Sequence, residues 1–321
     1  MEPVARVRAQ TPETGSPTRI ALRRLRRDPT ALLCAGTVLF FVLVAVFAPL
    51  LAALAGQDPL THHFELIDDG TSLPLVGMTP EHWFGVEPRL GRDLFARWAF
   101  GARPSLLVAA VATTVSTLVG VTVGLVAGFV GGRVDRVLSW LVDLVLSLPY
   151  LLFAIATPAT LMAVVGLTPD DAEPSVVSEI RFYSLIIVLS TFGWAGLARL
   201  IRGEVLSLRE REFIAAARVL GVPTRRVLTR ELLPNLVAPI VVSVSMALPG
   251  YVVAEAGLTF LGVGLTEPTP SWGVTIASAV SAYESVPHYL WIPVLSVTAL
   301  VLALSLLGDA VRDAFDPKTR R

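Results

Sequence analysis

An all-α, polytopic membrane protein is the fold class this 321-residue sequence predicts, and three observations lead there. The first is composition: 54% of the residues are hydrophobic and only 16% charged, and the mean hydropathy is +0.68, far from a soluble domain. The second is the spacing of charge. Stretches free of Asp, Glu, Lys and Arg run over 29–57, 104–132, 144–169, 182–198, 232–254 and 285–308, and each can hold a helix of the roughly 20 residues that cross a bilayer. The third is the sign of the charge between them. With the first segment inside, the inner segments carry 21 of the 26 Lys and Arg residues and the outer ones five, the asymmetry that orients membrane proteins.

Taken in order, residues 1–30 read as a cytoplasmic tail, polar at first and ending in the basic run IALRRLRR at 20–27, which suits a short helix on the inner leaflet or charge flanking a stop-transfer segment. Residues 31–55 form the first span. Its apolar run begins near residue 30 and is too long for a signal-peptide core, so it predicts a retained helix. Cys34, the sole cysteine, lies within it and rules out a disulfide inside one chain. The outer segment 56–103 carries His62, His63, Glu65, Asp68 and Asp69, which a solvated loop explains as well as a metal site does; no metal is expected. Leu94, Phe95 and Trp98, with Arg97 off their face, suggest an amphipathic helix in the outer interface.

The core, 104–308, begins with a span in which Ala112, Ser116, Gly120, Gly124, Gly128 and Gly132 fall every four residues. Small residues at this spacing make a groove for another helix, so Gly120, Gly124, Gly128 and Gly132 are predicted packing positions. The third span carries Asp143, Ser147, Pro149 and Pro158. Prolines free backbone carbonyls that need partners or a wet cavity in lipid, so Asp143, Ser147 and Pro149, together with Glu255 on the fifth span, are the candidate lining of a translocation path. Asp143 is expected to pair with Arg199 or Arg202 in apolar surroundings. Residues 309–321 close the chain as a cytoplasmic tail.

Between the fourth and fifth spans lies the polar segment 209–235. Ile214, Ala217, Val219 and Leu220 recur at near-helical spacing, Gly221 is a helix stop, and Pro223 can open a second helix. Ala215, Ala216 and Ala217 keep the first helix free of bulk, the shape of a plug that another protein can approach closely. A basic amphipathic loop lying on the bilayer is the alternative.

Ala216-Ala217, three residues, Gly221 and then Leu232-Leu233-Pro234-Asn235 resemble the EAA loop of ABC importer permeases, with Ala215 where the family has Glu. Three further stretches resemble the dipeptide and oligopeptide branch in the same order: 82–106, including Leu90-Gly91-Arg92-Asp93-Leu94, then 255–273, and the ending LLGDAVRDAFDP. The resemblance implies a type I ABC importer permease fold with six transmembrane helices in the bacterial cytoplasmic membrane and both termini inside. It implies coupling to an ATPase through Glu212, Ala215, Ala216, Ala217, Gly221, Val222 and Pro223. The implied partners are a second permease, two ATPase subunits, an extracytoplasmic binding protein and membrane lipid, with no nucleic acid. Peptides are the implied cargo, and nickel chelates or another small solute the alternative within the same machinery.

No catalytic constellation is present. A Walker A loop needs Gly-Lys-Ser/Thr, and Lys318, the single lysine, lacks the glycine, so the chain is not expected to be an enzyme or to hold a cofactor; ATP and Mg would sit on the partner subunits. A secondary transporter, the reading from another class, would need ionisable groups near the midplane, whereas Asp143 and Glu255 lie toward span ends.

Overall fold

The computed structural model describes residues 17–168 and 172–315, and among them no strand is present, only two isolated β-bridges in the 67–93 region. The helices are α1 (Pro17–Leu25), α2 (Pro29–Leu54), α3 (Leu94–Val130), α4 (Gly132–Ser147), α5 (Tyr150–Val164), α6 (Pro174–Leu208), α7 (Glu212–Val219), α8 (Thr224–Arg226), α9 (Leu233–Phe260), α10 (Trp272–Ala279) and α11 (Pro287–Phe315). A π-helical turn, Val227–Leu232, joins α8 to α9. The resulting Thr224–Phe260 helix, with α2, α3, α6 and α11, makes five helices long and apolar enough to cross a membrane.

The predicted third span is the exception. It is a broken pair, α4 and α5, bent by 90°. The cause is local: Leu148 and Pro149 both adopt extended backbone, and a residue before proline is pushed out of the helical region. Counting the pair as one crossing restores six. Pro158, by contrast, sits inside α5 without breaking it.

A second correction concerns the outer interface. Leu94, Phe95, Arg97 and Trp98 form no separate interfacial helix; they are the first turns of the 37-residue α3, capped by the Asp93 side chain accepting from the Ala96 N–H at 2.7 Å. Leu94, Phe95 and Arg97 are buried there, because the 56–93 segment folds back over this end of the bundle. Gln57 Nε2 donates to the Glu81 carbonyl and Arg97 Nη1 to that of Pro59.

Three of the four glycines of the stripe lie against α6. A Cβ on Gly120 would stand 2.8 Å from the Trp194 carbonyl oxygen, on Gly124 2.7 Å from that of Ala198, and on Gly128 2.8 Å from the Val205 Cβ, so α3 and α6 touch backbone to backbone. Gly132 does not belong to this contact: it follows the turn at Gly131, has φ +61°, and a Cβ there would meet nothing within 4 Å. A second core joins α2, α3, α9 and α11 around Trp272, which is fully buried, lies edge-on to Phe41 at 5.4 Å and donates from Nε1 to the Trp98 carbonyl.

Candidate functional site

The segment after α6 is shaped by its own backbone requirements. Arg209 caps α6, and its Nη1 donates to the Gly128 carbonyl at 3.1 Å, fastening the ends of α6 and α3 together. In α7, Ile214 and Ala217 turn inward to pack with Ile201, Val205, Val227, Leu232 and Leu236. At the end of α7 the Val222 N–H reaches the Ala217 carbonyl and Gly221 has φ +70°, a Schellman stop that needs glycine for its dihedral and not for space, since a Cβ there would meet no atom. Pro223 then stands at the N-cap of α8.

Pro234 has no N–H to offer the Arg230 carbonyl, and the helix widens into its π-turn just before it. Asn235 Nδ2 donates to the neighbouring Glu231 carbonyl at 2.6 Å, so the Leu-Pro-Asn step partly mends the interruption that its proline makes.

The outcome is a short helix anchored on one face and open on the other. Glu212, Phe213, Ala215, Ala216, Val219, Leu220, Gly221 and Pro223 are exposed, Val219 and Leu220 to 88% and 81%, and Val222 is half-buried. Beside it an open groove of about 760 Å³ runs between Phe129, Val130, Arg209, Glu210, Val222, Thr224 and Val227. Val219 and Leu220 are thus two apolar side chains held in the open beside this groove.

The candidate path residues do not form one place. Asp143, Ser147 and Pro149 cluster at the α4–α5 break. Asp143 Oδ1 accepts from Arg199 Nη2 at 2.6 Å, as expected, but both partners are mostly exposed, so the expected apolar surroundings are not found. Arg202 goes instead to Asp135, at 2.7 Å between Nη2 and Oδ2. Ser147 Oγ donates to the Leu144 carbonyl. Glu255 stands apart: it is fully buried, accepts from Thr259 Oγ1 at 3.1 Å, and faces no open surface in this structure.

One constellation escaped the sequence reading. Glu267, in the loop before α10, takes both Nη1 and Nη2 of Arg92 at 2.8 and 2.9 Å and Nη2 of Arg97 at 2.6 Å, while Glu87 meets Arg92 Nε and, at 3.3 Å, Arg97 Nε. Tyr289 donates to Glu87 at 3.3 Å. Two arginines, two carboxylates and Tyr289 thus tie the 56–93 segment, α3, the α10 loop and α11 together. Burial raises the Glu267 carboxyl, but hydrogen bonds from Arg92 and the charges of Arg97 and Arg92 outweigh it and hold the group below its ordinary value. No spacing could have signalled this, since Glu87 and Glu267 lie 180 positions apart.

Between the fourth and fifth crossings of this helical membrane bundle there is thus a helix anchored on one face and exposed on the other. The chain belongs to the family of binding-protein-dependent transport system inner membrane components, which residues 120–321 match, and residues 16–66 match the N-terminal TM domain of oligopeptide transport permease C. Among its relatives, the dipeptide transport system permease protein DppC of Alkalihalophilus pseudofirmus is 34% identical over 95% of this chain and 91% of its own length. DppC of Bacillus subtilis is 33% identical over 95% and 87%. The glutathione transport system permease protein GsiD of Salmonella typhimurium is 36% identical over 95% and 92%. Among solved structures, an inward-facing MetNI methionine ABC transporter aligns with TM-score 0.50 at 17% identity, covering 66% of this chain and 93% of that one, a likeness of fold alone.

Proposed function

We propose that this chain, paired with a second permease, forms the path by which an ATP-driven importer moves di- or oligopeptides into the cell, and that α7 and the turn at Gly221 receive the motion of the ATPase. Both termini and α7 face the cytoplasm, the binding protein docks on the outer face, and two ATPase subunits hold the ATP and Mg. The observation that carries the coupling role is the split character of α7: Ile214 and Ala217 lock it to the bundle, while Phe213, Ala216 and Val219, with Leu220 just after it, present an apolar face outward. A force applied to that face passes through Ile214 into α6 and α9, because all three share one packed cluster. The names of the relatives support a peptide or peptide-like cargo, and nickel chelates or another small solute would need no different machinery.

Asp143, Ser147 and Pro149, at the break in the third crossing, are the proposed path-facing groups. Glu212, Ala215, Ala216, Ala217, Gly221, Val222 and Pro223 are the proposed coupling residues.

Ala216→Trp and Gly221→Val test the reading. The first overfills a close contact, at a cost of about 1–3 kcal/mol; the second opposes the positive φ at 221. Neither touches the break at Pro149. Insertion and pairing with the second permease should persist while transport and substrate-stimulated ATP hydrolysis in reconstituted complexes are lost. Normal stimulation in both variants would place the coupling site elsewhere.

A further inference from the structure

The basic run at 20–27 is an ordered feature, and neither the fold nor coupling uses its last two charges. Its helix, α1, lies against the end of α11: Ala21 is buried and Arg24 Nη1 donates to the Ala314 carbonyl at 3.4 Å. The turn out of α1 is equally fixed, with the Arg26 N–H on Leu22, the Arg27 N–H on Arg24 and the Asp28 N–H on Arg24. Asp28 is committed to α2, where its carboxylate accepts from the Thr30 and Ala31 N–H groups. Arg26 and Arg27 are exposed, and neither guanidinium has an ion-pair partner among the described residues.

Immediately beyond them, exposed leucines begin: Leu32 is 54% and Leu33 72% accessible, and Leu22 on α1 is 51% accessible. Leu32 and Leu33 lie in the first turns of α2, about 4–6 Å along its axis from Pro29 at 1.5 Å per residue. Two exposed cations at a fixed turn, flanked in the chain by exposed leucines, match an amphiphile with an anionic head and acyl tails. A free anion would use the arginines but gain nothing from the leucines.

We propose that Arg26 and Arg27, with the exposed Leu22, Leu32 and Leu33 that flank them in the chain, form a binding site for an anionic phospholipid at the end of α1. The site holds α1 and the start of α2 at the headgroup level and, through Arg24, the end of α11 with them. It is independent of which solute the importer carries.

The test uses the full chain purified in detergent with the subunits that copurify, titrated with phosphatidylglycerol or phosphatidylcholine and read by native mass spectrometry. The wild type should prefer phosphatidylglycerol. Arginines beside an anionic surface contribute about 1 kcal/mol each, roughly fivefold in affinity, so the R26Q/R27Q variant should bind phosphatidylglycerol roughly 30-fold more weakly and phosphatidylcholine unchanged. R26K/R27K should retain most of the preference, and raising the salt should erode it in the wild type. An unchanged preference in R26Q/R27Q overturns the proposal. Displacement of the lipid by an equal concentration of inorganic phosphate also overturns it, since the site would then read the anion alone. Should R26Q/R27Q fail to assemble, a salt-independent preference in the wild type is equally fatal.

Discussion

Single residues in this chain differ in energetic weight according to their burial more than their charge. The Asp143–Arg199 pair is well formed at 2.6 Å, yet its side chains are 67% and 58% exposed, and solvated pairs contribute roughly 0–1 kcal/mol. A double-mutant cycle with Asp143→Asn and Arg199→Gln should therefore give a coupling energy below about 1 kcal/mol in thermal unfolding of the purified chain. Arg97 is the opposite case. It is 1% exposed and serves Glu87 and Glu267 together, so Arg97→Met leaves two carboxylates sharing Arg92 and should cost about 3–5 kcal/mol, appearing as a large loss of melting temperature or of folded yield. Restoring neutrality with Glu87→Gln should recover part of it.

The same cluster predicts a pH dependence. Because the Glu267 carboxyl is held below its ordinary value in the folded chain, it binds fewer protons there than when unfolded. Its stabilisation is complete above the ordinary value of 4.5 and is lost as the pH falls below it. Melting curves across that range should show a steeper acid loss in wild type than in Glu267→Gln, with the two converging at the acid end.

At the scale of elements, the α3–α6 contact dominates the core. Gly124→Leu would drive its side chain into the Ala198 carbonyl and Ile201 Cβ, at 2.7 and 2.8 Å from the first added atom. Backbone lines that side of the groove and cannot yield as a flexible side chain does, so assembly as well as transport should fail when complex is recovered by affinity purification. Gly132→Ala should be far milder: nothing lies within 4 Å, and only its φ of +61° resists a side chain. Equal loss at both positions would contradict the packing described here. The broken α4–α5 pair has a similar local logic, since Leu148 and Pro149 sit where a straight helix would have to donate a bond that proline lacks.

For the whole molecule, the proposed orientation follows from 21 against five basic residues and is open to direct measurement. In a Cys34→Ala background, Thr71→Cys and Pro268→Cys should react with an impermeant thiol reagent in intact cells, and Thr224→Cys should not. Labelling at 224 alone would invert the molecule.

How much of this was legible beforehand depends on whether the signal was local. Five of the six spans, the glycine groove at 120, 124 and 128, and the helix–glycine–helix segment at 212–226 could be read, because each rests on a run of uncharged residues, on periodicity or on the backbone preference of one residue. The start of α3 at Leu94 could not be read correctly. Its first turns are as amphipathic as an interfacial helix, and only the fold-back of residues 56–93 makes that face interior.

By itself, then, the sequence determined that the chain is a helical membrane protein, where its apolar stretches lie, and where an exposed hinge sits, since hydration, helix period and proline and glycine stereochemistry act within a few residues. Tertiary structure alone decided that Arg97 is buried between Glu87 and Glu267, that Asp143 takes Arg199 while Arg202 takes Asp135, and that Glu255 faces inward. Those outcomes depend on which distant groups share a low-dielectric space, and a linear pattern carries no information about that until the helices are packed.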